Sequence, residues 1–150
     1  MIAVLQKTSE AAVAIEEKIS GEIKKGILIL LGIEDADDQE DINWLVRKII
    51  NLRIFEDAEG KMNLSCEDVN GDYLVVSQFT LHASTKKGNR PSFIKAAKPD
   101  VAIPLYKNFV QTLNNASAGE VQTGEFGAMM EVKLINDGPV TIIIDTKNKV

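Results

Sequence analysis

The chain is short of the residues on which many catalysts depend. Its 150 residues include one histidine, His82, and one cysteine, Cys66. A lone cysteine excludes an intrachain disulfide and a thiolate metal cluster. Cys66 lies in the polar stretch NLSCEDVN with no histidine nearby, so it reads as a buried or idle thiol. No H-E-x-x-H, C-x-x-C, G-x-G-x-x-G, G-x-S-x-G or P-loop pattern occurs, which argues against zincin, redox, dinucleotide, serine-hydrolase and P-loop chemistry. No apolar run approaches about 18 residues, and the N-terminal MIAVLQKTSEAAV lacks a basic segment followed by a long apolar one. The expectation is therefore a soluble cytoplasmic protein. Positive charge is also scarce. With 17 Lys and Arg against 22 Asp and Glu, the net charge is −5, so any polyanion would need a local patch rather than the bulk field.

The length and the 45% hydrophobic content suit one sizeable core, and residues 1–150 read as one domain without repeats or linkers. IAVLQK (2–7) and AAVAIE (11–16) suggest an N-terminal hairpin. GILILLGI (26–33) is apolar at every position and reads as a central strand covered on both faces. The acidic run EDADDQED then leads into Ile42, Leu45, Val46, Ile49 and Ile50 at helical spacing, which is a solvated helix start followed by a core-facing stripe. The run lacks the ligand spacing and glycine of a cation loop, so no metal is expected. LRIFED reads as a strand, and YLVVSQFTL (73–81) as a second strongly apolar one. SFIKAAK and VAIPLYKNFVQTLNNA read as helices interrupted by Pro99 and Pro104, and strands return after them. The fold class expected is mixed α/β: a three-layer single domain, its sheet covered by helices on one side and by further strands on the other.

Three stretches carry chemistry. SQFTL (77–81) sets Ser77, Gln78 and Thr80 at the end of an apolar strand; strand alternation sends Gln78 and Thr80 to one face and Ser77 and Phe79 to the other. Polar residues where a strand meets solvent account for it as well as a site does. From Ala83 to Lys107 there are six cations, Lys86, Lys87, Arg90, Lys95, Lys98 and Lys107, against Asp100 alone. That patch fits a phosphate backbone or a solvated face. NDGPVT (136–141) reads as a hairpin turned by Asp137-Gly138, with Pro139 making the turn rigid.

SQFTL, KGNRPSF (87–93) within the basic segment and NDGPVT, together with LRIFED-x-EGKMNLS and the opening VLQK-x-SEA, resemble the D-aminoacyl-tRNA deacylase family from residue 1 to about 145. The resemblance implies the fold of that family and hydrolysis of the ester joining a D-amino acid, or glycine, to the terminal adenosine of tRNA. It also implies a homodimer that needs neither metal nor organic cofactor. Ser77, Gln78, Phe79 and Thr80 then line the site for the terminal adenosine and scissile ester. Gly138-Pro139, joined by a cis peptide bond, reaches the partner's site and excludes an L side chain.

GEFGAMM resembles the family's pocket wall, which implies that Phe126, Ala128 and Met129 surround the adenine, although strand packing explains them equally well. The resemblance likewise implies that Lys86, Lys87 and Arg90 meet the acceptor stem. One departure is Lys7, where the family usually carries arginine; an ammonium cannot fork to several carbonyls as a guanidinium does. A neutral Thr80 hydroxyl needs an activating partner, and none is evident. The family-level alternative is assistance by the substrate's own 2′-hydroxyl, with backbone N–H groups near Phe79 and Thr80 holding the oxyanion. The alternatives to an enzyme of this family are a noncatalytic tRNA-binding or replication-associated module, and a threonine-type esterase.

Overall fold

Residues 2–15 alternate buried and partly exposed positions, and in the computed structural model, which describes all 150 residues, they form one continuous strand, β1 (Ile2–Ile15). The expected hairpin within them does not form. Both halves of β1 find the same neighbour, β8 (Glu131–Asp145), so a turn near Thr8 would break a shared ladder. The hairpin lies one step later. Ile15 pairs with Lys18 of β2 (Lys18–Ile23) across Glu16 and Glu17, both at positive φ. This is the two-residue geometry that matches strand twist, here built without glycine.

On its other edge β1 pairs antiparallel with β3 (Gly26–Gly32), which is parallel to β6 (Asp72–Ser77), itself parallel to β7 (Val121–Thr123). As its apolar composition indicates, β3 is central. The sheet then curls until β2 meets β7, where the Ser20 hydroxyl donates to the Thr123 carbonyl at 3.0 Å without ladder pairing. One face packs Leu5, Ile27, Ile29, Leu31, Tyr73 and Val75 against α1 (Gln39–Asn51) and α2 (Pro99–Ala116). The other face buries Val13, Ile23, Leu28, Leu74 and Val76 under Met130, Val132 and Leu134. Helices on one side and strands on the other are thus present. The covering strands, however, belong to the same, nearly closed mixed sheet rather than to a separate layer. LRIFED contributes only the two-residue β4 (Phe55–Glu56), which pairs with β5 (Met62–Leu64). SFIKAAK is not helical; Pro99 starts α2, where its missing N–H costs nothing, and the helix continues through Pro104. No helix is long and apolar enough to cross a membrane.

The acidic run is only partly solvated. Asp38 caps α1 by accepting from the N–H groups of Glu40 and Asp41, at 2.9 and 3.1 Å, and Asp41 closes the capping box by accepting from Asp38 N–H at 3.0 Å. Asp37 is buried and accepts from the Met1 ammonium, while Lys147 Nζ donates to Asp41 Oδ2 at 2.6 Å. Burial pushes the Asp41 carboxyl up, but hydrogen bonds from Lys147, Thr146 and the Asp38 backbone outweigh it and bring its pKa to about 2. A carboxylate whose folded pKa lies below its unfolded value stabilises the fold above the unfolded value, near 3.8, and loses that contribution as pH falls toward 2. Asp41→Asn is therefore expected to cost about 1–2 kcal/mol at neutral pH. It should also flatten the acid limb of stability between about pH 4 and 2, measured by urea unfolding across that range. An unchanged limb would refute this assignment.

Candidate active site

At the C-terminal ends of β3 and β6 the chain makes a cavity of about 430 Å³. The strand stops at Ser77 and the chain turns into a short 3₁₀ helix, Phe79–His82, so the alternation expected through residue 81 is lost. Gln78 and Thr80 still meet, since Gln78 Nε2 donates to Thr80 Oγ1. Phe79 is 55% exposed. Gly32 lets this turn lie close, because a Cβ there would come within 3.0 Å of the Gln78 carbonyl oxygen. Gln78 N–H donates to the Leu31 carbonyl, Leu81 N–H to the Gln78 carbonyl, and Ala83 N–H to the Thr80 carbonyl. The N–H groups of Phe79 and Thr80 have no acceptor in the chain, and both residues line the cavity.

The opposite wall comes from the segment between β7 and β8. Phe126, Gly127, Ala128, Met129 and Met130 line the cavity together with Ser77, Gln78, Phe79 and Thr80. Phe126 does both things the sequence left open: it faces the cavity and packs on Tyr106 of α2, with ring centres 5.8 Å apart. Met129 is 91% exposed at the mouth. Tyr106 anchors this side by donating to the Val75 carbonyl at 3.0 Å, and burial pushes its pKa up to about 12, so it remains a neutral donor. His82 does not serve Thr80. Its ring is buried and its Nε2 has no hydrogen-bond partner. Burial pushes the Cys66 thiol up to about 12, in keeping with an idle, buried sulfur.

The basic loop stands beside the cavity. Ser84 and Ser92 exchange backbone hydrogen bonds of 2.8 and 2.9 Å that close its base, leaving Lys86, Lys87 and Arg90 exposed. Phe93 then meets Phe79 edge to face at 5.1 Å and ties the loop to the strand end.

Gly138 and Pro139 lie elsewhere. NDGPVT is not a hairpin: β8 runs straight through it, pairing with β1 on both sides. Gln6 pairs with Thr141 and Thr8 with Asn136, so Asp137, Gly138 and Pro139 are thrown out as a bulge, with the Gly138-Pro139 bond cis. Asn136 Nδ2 donates to the Lys7 carbonyl at 3.0 Å and to the Val140 carbonyl at 2.9 Å, closing the neck of the bulge. Lys7, 4% exposed, sets its ammonium 3.5 Å from Asp137 Oδ2 and 5.5 Å from the centre of the Phe55 ring. Lys7 is level with Ile27, whereas Ser77 is level with Leu31. Four rungs of strand are roughly 13 Å, with β1 and β3 also between, and neither Gly138 nor Pro139 lines the cavity.

A family model described as D-Tyr-tRNA(Tyr) deacylase matches residues 4–145. The chain belongs to the D-Tyr-tRNA(Tyr) deacylase family. Proteins named D-aminoacyl-tRNA deacylase are similar to it across their length: one from Flavobacterium psychrophilum is 65% identical over 149 residues, 99% of each chain, and one from Bacteroides fragilis (strain YCH46) is 60% identical over the same span. A solved structure described as c-Myc DNA Unwinding Element Binding Protein superposes with a TM-score of 0.92 at 40% identity, covering 97% of this chain and 98% of its own. The fold alone is shared with a probable eukaryotic D-amino acid tRNA deacylase, with a TM-score of 0.78 at 19% identity.

For a family member, two positioning residues escaped the sequence reading. In NDGPVT the turn reading assigns roles to Asp137, Gly138 and Pro139 and none to Asn136. Phe93 closes the KGNRPSF motif that helps carry the resemblance, but the sequence gives it no role of its own; its contact with Phe79 is seen only in the fold. Each acts through a partner distant in sequence or through backbone carbonyls, which no local motif reveals.

Proposed function

We propose that the cavity bounded by Ser77–Thr80 and Phe126–Met130 binds the terminal adenosine of D-aminoacyl-tRNA and hydrolyses its ester. Membership of the family makes the chain a D-aminoacyl-tRNA deacylase; the residue roles are our reading. The observation that carries it is the pair of free N–H groups, Phe79 and Thr80, at a cavity edged by Gln78 and Thr80 side chains. Water adds to the acyl carbonyl carbon, and these donors hold the oxygen as it becomes an oxyanion. The carbonyl then reforms, the bond to the ribose oxygen breaks, that oxygen takes a proton, and the free amino acid leaves. Thr80 has no base beside it, so we assign orientation of the attacking water to the substrate's own 2′-hydroxyl. Phe126, Ala128 and Met129 hold the adenine, while Lys86, Lys87 and Arg90 meet the acceptor stem.

Chiral selection is assigned to Gly138 and Pro139 of a second copy. The bulge projects from the sheet and lies too far along β1 to screen its own cavity, which supports action in a homodimer. Backbone carbonyls set against the α-carbon reject an L side chain by exclusion, and glycine, with no side chain, passes. Purified protein should hydrolyse D-tyrosyl-tRNA at least about 100-fold faster than matched L-tyrosyl-tRNA, because exclusion by backbone admits no compensating contact. Equal rates would overturn the reading. The similarity to a DNA Unwinding Element Binding Protein and the unpaired cations of the 86–90 loop favour, as a second reading, a nucleic-acid-binding module; turnover separates the two.

A further inference from the structure

Away from the cavity, the outer face of α1 gathers positive charge around an aromatic ring. Arg47, Lys48 and Arg53 line a shallow hollow of about 420 Å³ with Trp44, Asn51 and Leu52, and no carboxylate is among the lining residues. Lys48 Nζ lies 5.5 Å from the centre of the Trp44 ring and Lys149 Nζ 4.6 Å, so one ring carries two ammonium groups. None of the four cations lies within 4 Å of a carboxylate. Arg53 is steadied by Asn63 Oδ1 at 3.1 Å and feels Asp68 only through space. The acidic residues of α1 sit in its first turn, where Asp41 is taken by Lys147. Favourable contact with the helix C-terminus explains Lys48. It does not explain Arg47 and Arg53, which bring further positive charge to the same hollow of a chain whose net charge is −5.

We propose that this hollow binds the phosphate backbone of the tRNA substrate at a second point, away from the terminal adenosine. The inference rests on the tRNA substrate proposed above. Arginine forks match phosphate oxygens, and unpaired cations release counterions when they meet a polyanion. Position supports a remote contact. Asp38, at the start of α1, follows the end of β3 that carries the cavity, and Phe55, two residues beyond Arg53, lies against Lys7 at the other end. A 13-residue helix spans about 20 Å, so a lone aminoacyl-adenosine in the cavity cannot touch the hollow, whereas the rigid acceptor arm of an intact tRNA extends far enough to do so.

The test compares Arg47→Glu/Lys48→Glu with the wild-type protein on two substrates, D-tyrosyl-tRNA and the D-tyrosyl ester of adenosine. Both residues are exposed, so folding is not at stake. The double variant is expected to raise KM for D-tyrosyl-tRNA at least about tenfold near 0.1 M salt, with kcat nearly unchanged, and to lower the salt slope by about two. Turnover of the adenosine ester should stay the same. Unchanged KM and salt slope on tRNA would overturn the proposal, as would equal losses on both substrates. Retention of uncharged tRNA on filters reads the same site without catalysis, so absence of turnover in the wild-type protein would sink the deacylase reading while leaving this contact measurable. Lys86→Glu/Lys87→Glu, assayed alongside, reports the acceptor-stem loop separately.

Discussion

D-Tyrosyl-tRNA ending in 2′-deoxyadenosine is expected to be hydrolysed about 100- to 1,000-fold more slowly than the ribose substrate, whereas Thr80→Ala should lose less than about tenfold, the range that separates a group moving a proton from one that only positions. The contrast follows from what surrounds Thr80. Its hydroxyl accepts from Gln78 Nε2, the chain's one histidine is buried without reaching it, and Cys66 lies buried outside the cavity lining with its pKa pushed up to about 12. No side chain there can take a proton from threonine at neutral pH. The oxyanion donors, in contrast, are backbone N–H groups that survive any side-chain change at 79 or 80. Single-turnover hydrolysis with the two substrates and two proteins checks this. A near-complete loss in Thr80→Ala together with normal rates on the 2′-deoxy substrate would replace substrate assistance with threonine chemistry.

Gly138→Ala is expected to lower kcat/KM for D-tyrosyl-tRNA at least about 100-fold and to narrow the D-to-L ratio toward unity, since misplacing a positioning element by about 1 Å costs that much. Gly138 has φ near +130°, a region that L side chains rarely adopt, and an added Cβ would lie 2.6 Å from Val140 Cγ2 and 3.0 Å from Val140 N. Backbone strain of about 1–3 kcal/mol is therefore added to a steric clash. The fold should tolerate this, because the bulge lies outside the ladder and β8 is paired with β1 on both sides. Asn136→Ala should act in the same direction but more weakly, about tenfold, by removing both hydrogen bonds that close the neck of the bulge. Its melting temperature should change by only a few degrees. Wild-type rates and D-to-L ratio in Gly138→Ala would detach chiral selection from the bulge. At the neck of the bulge, Lys7 balances Asp137 while Asn136 holds the backbone.

Local chemistry in the sequence determined a good deal. The unbroken apolar run of GILILLG requires burial on both faces, and it became the central strand. Asp38 with Asp41 three residues on, before a helical apolar stripe, is a capping box that announces α1. The candidate site was legible as residue identities, SQFT, KKGNRP, FGAMM and DGP, because each is contiguous in the chain. What those residues do to one another was not. Asp137-Gly138 signals a reversal or a bulge equally well, and the choice falls to β1, a partner more than a hundred residues away whose ladder continues on both sides of the motif. The same partner keeps residues 2–15 straight and moves the real hairpin to Glu16-Glu17, against their weak turn propensity. Long-range hydrogen bonding outweighs local preference in both places, because abandoning a shared ladder would leave several backbone groups unpaired at once. Only the tertiary structure separates Gly138-Pro139 from the cavity formed by its own chain, and that separation motivates the second copy.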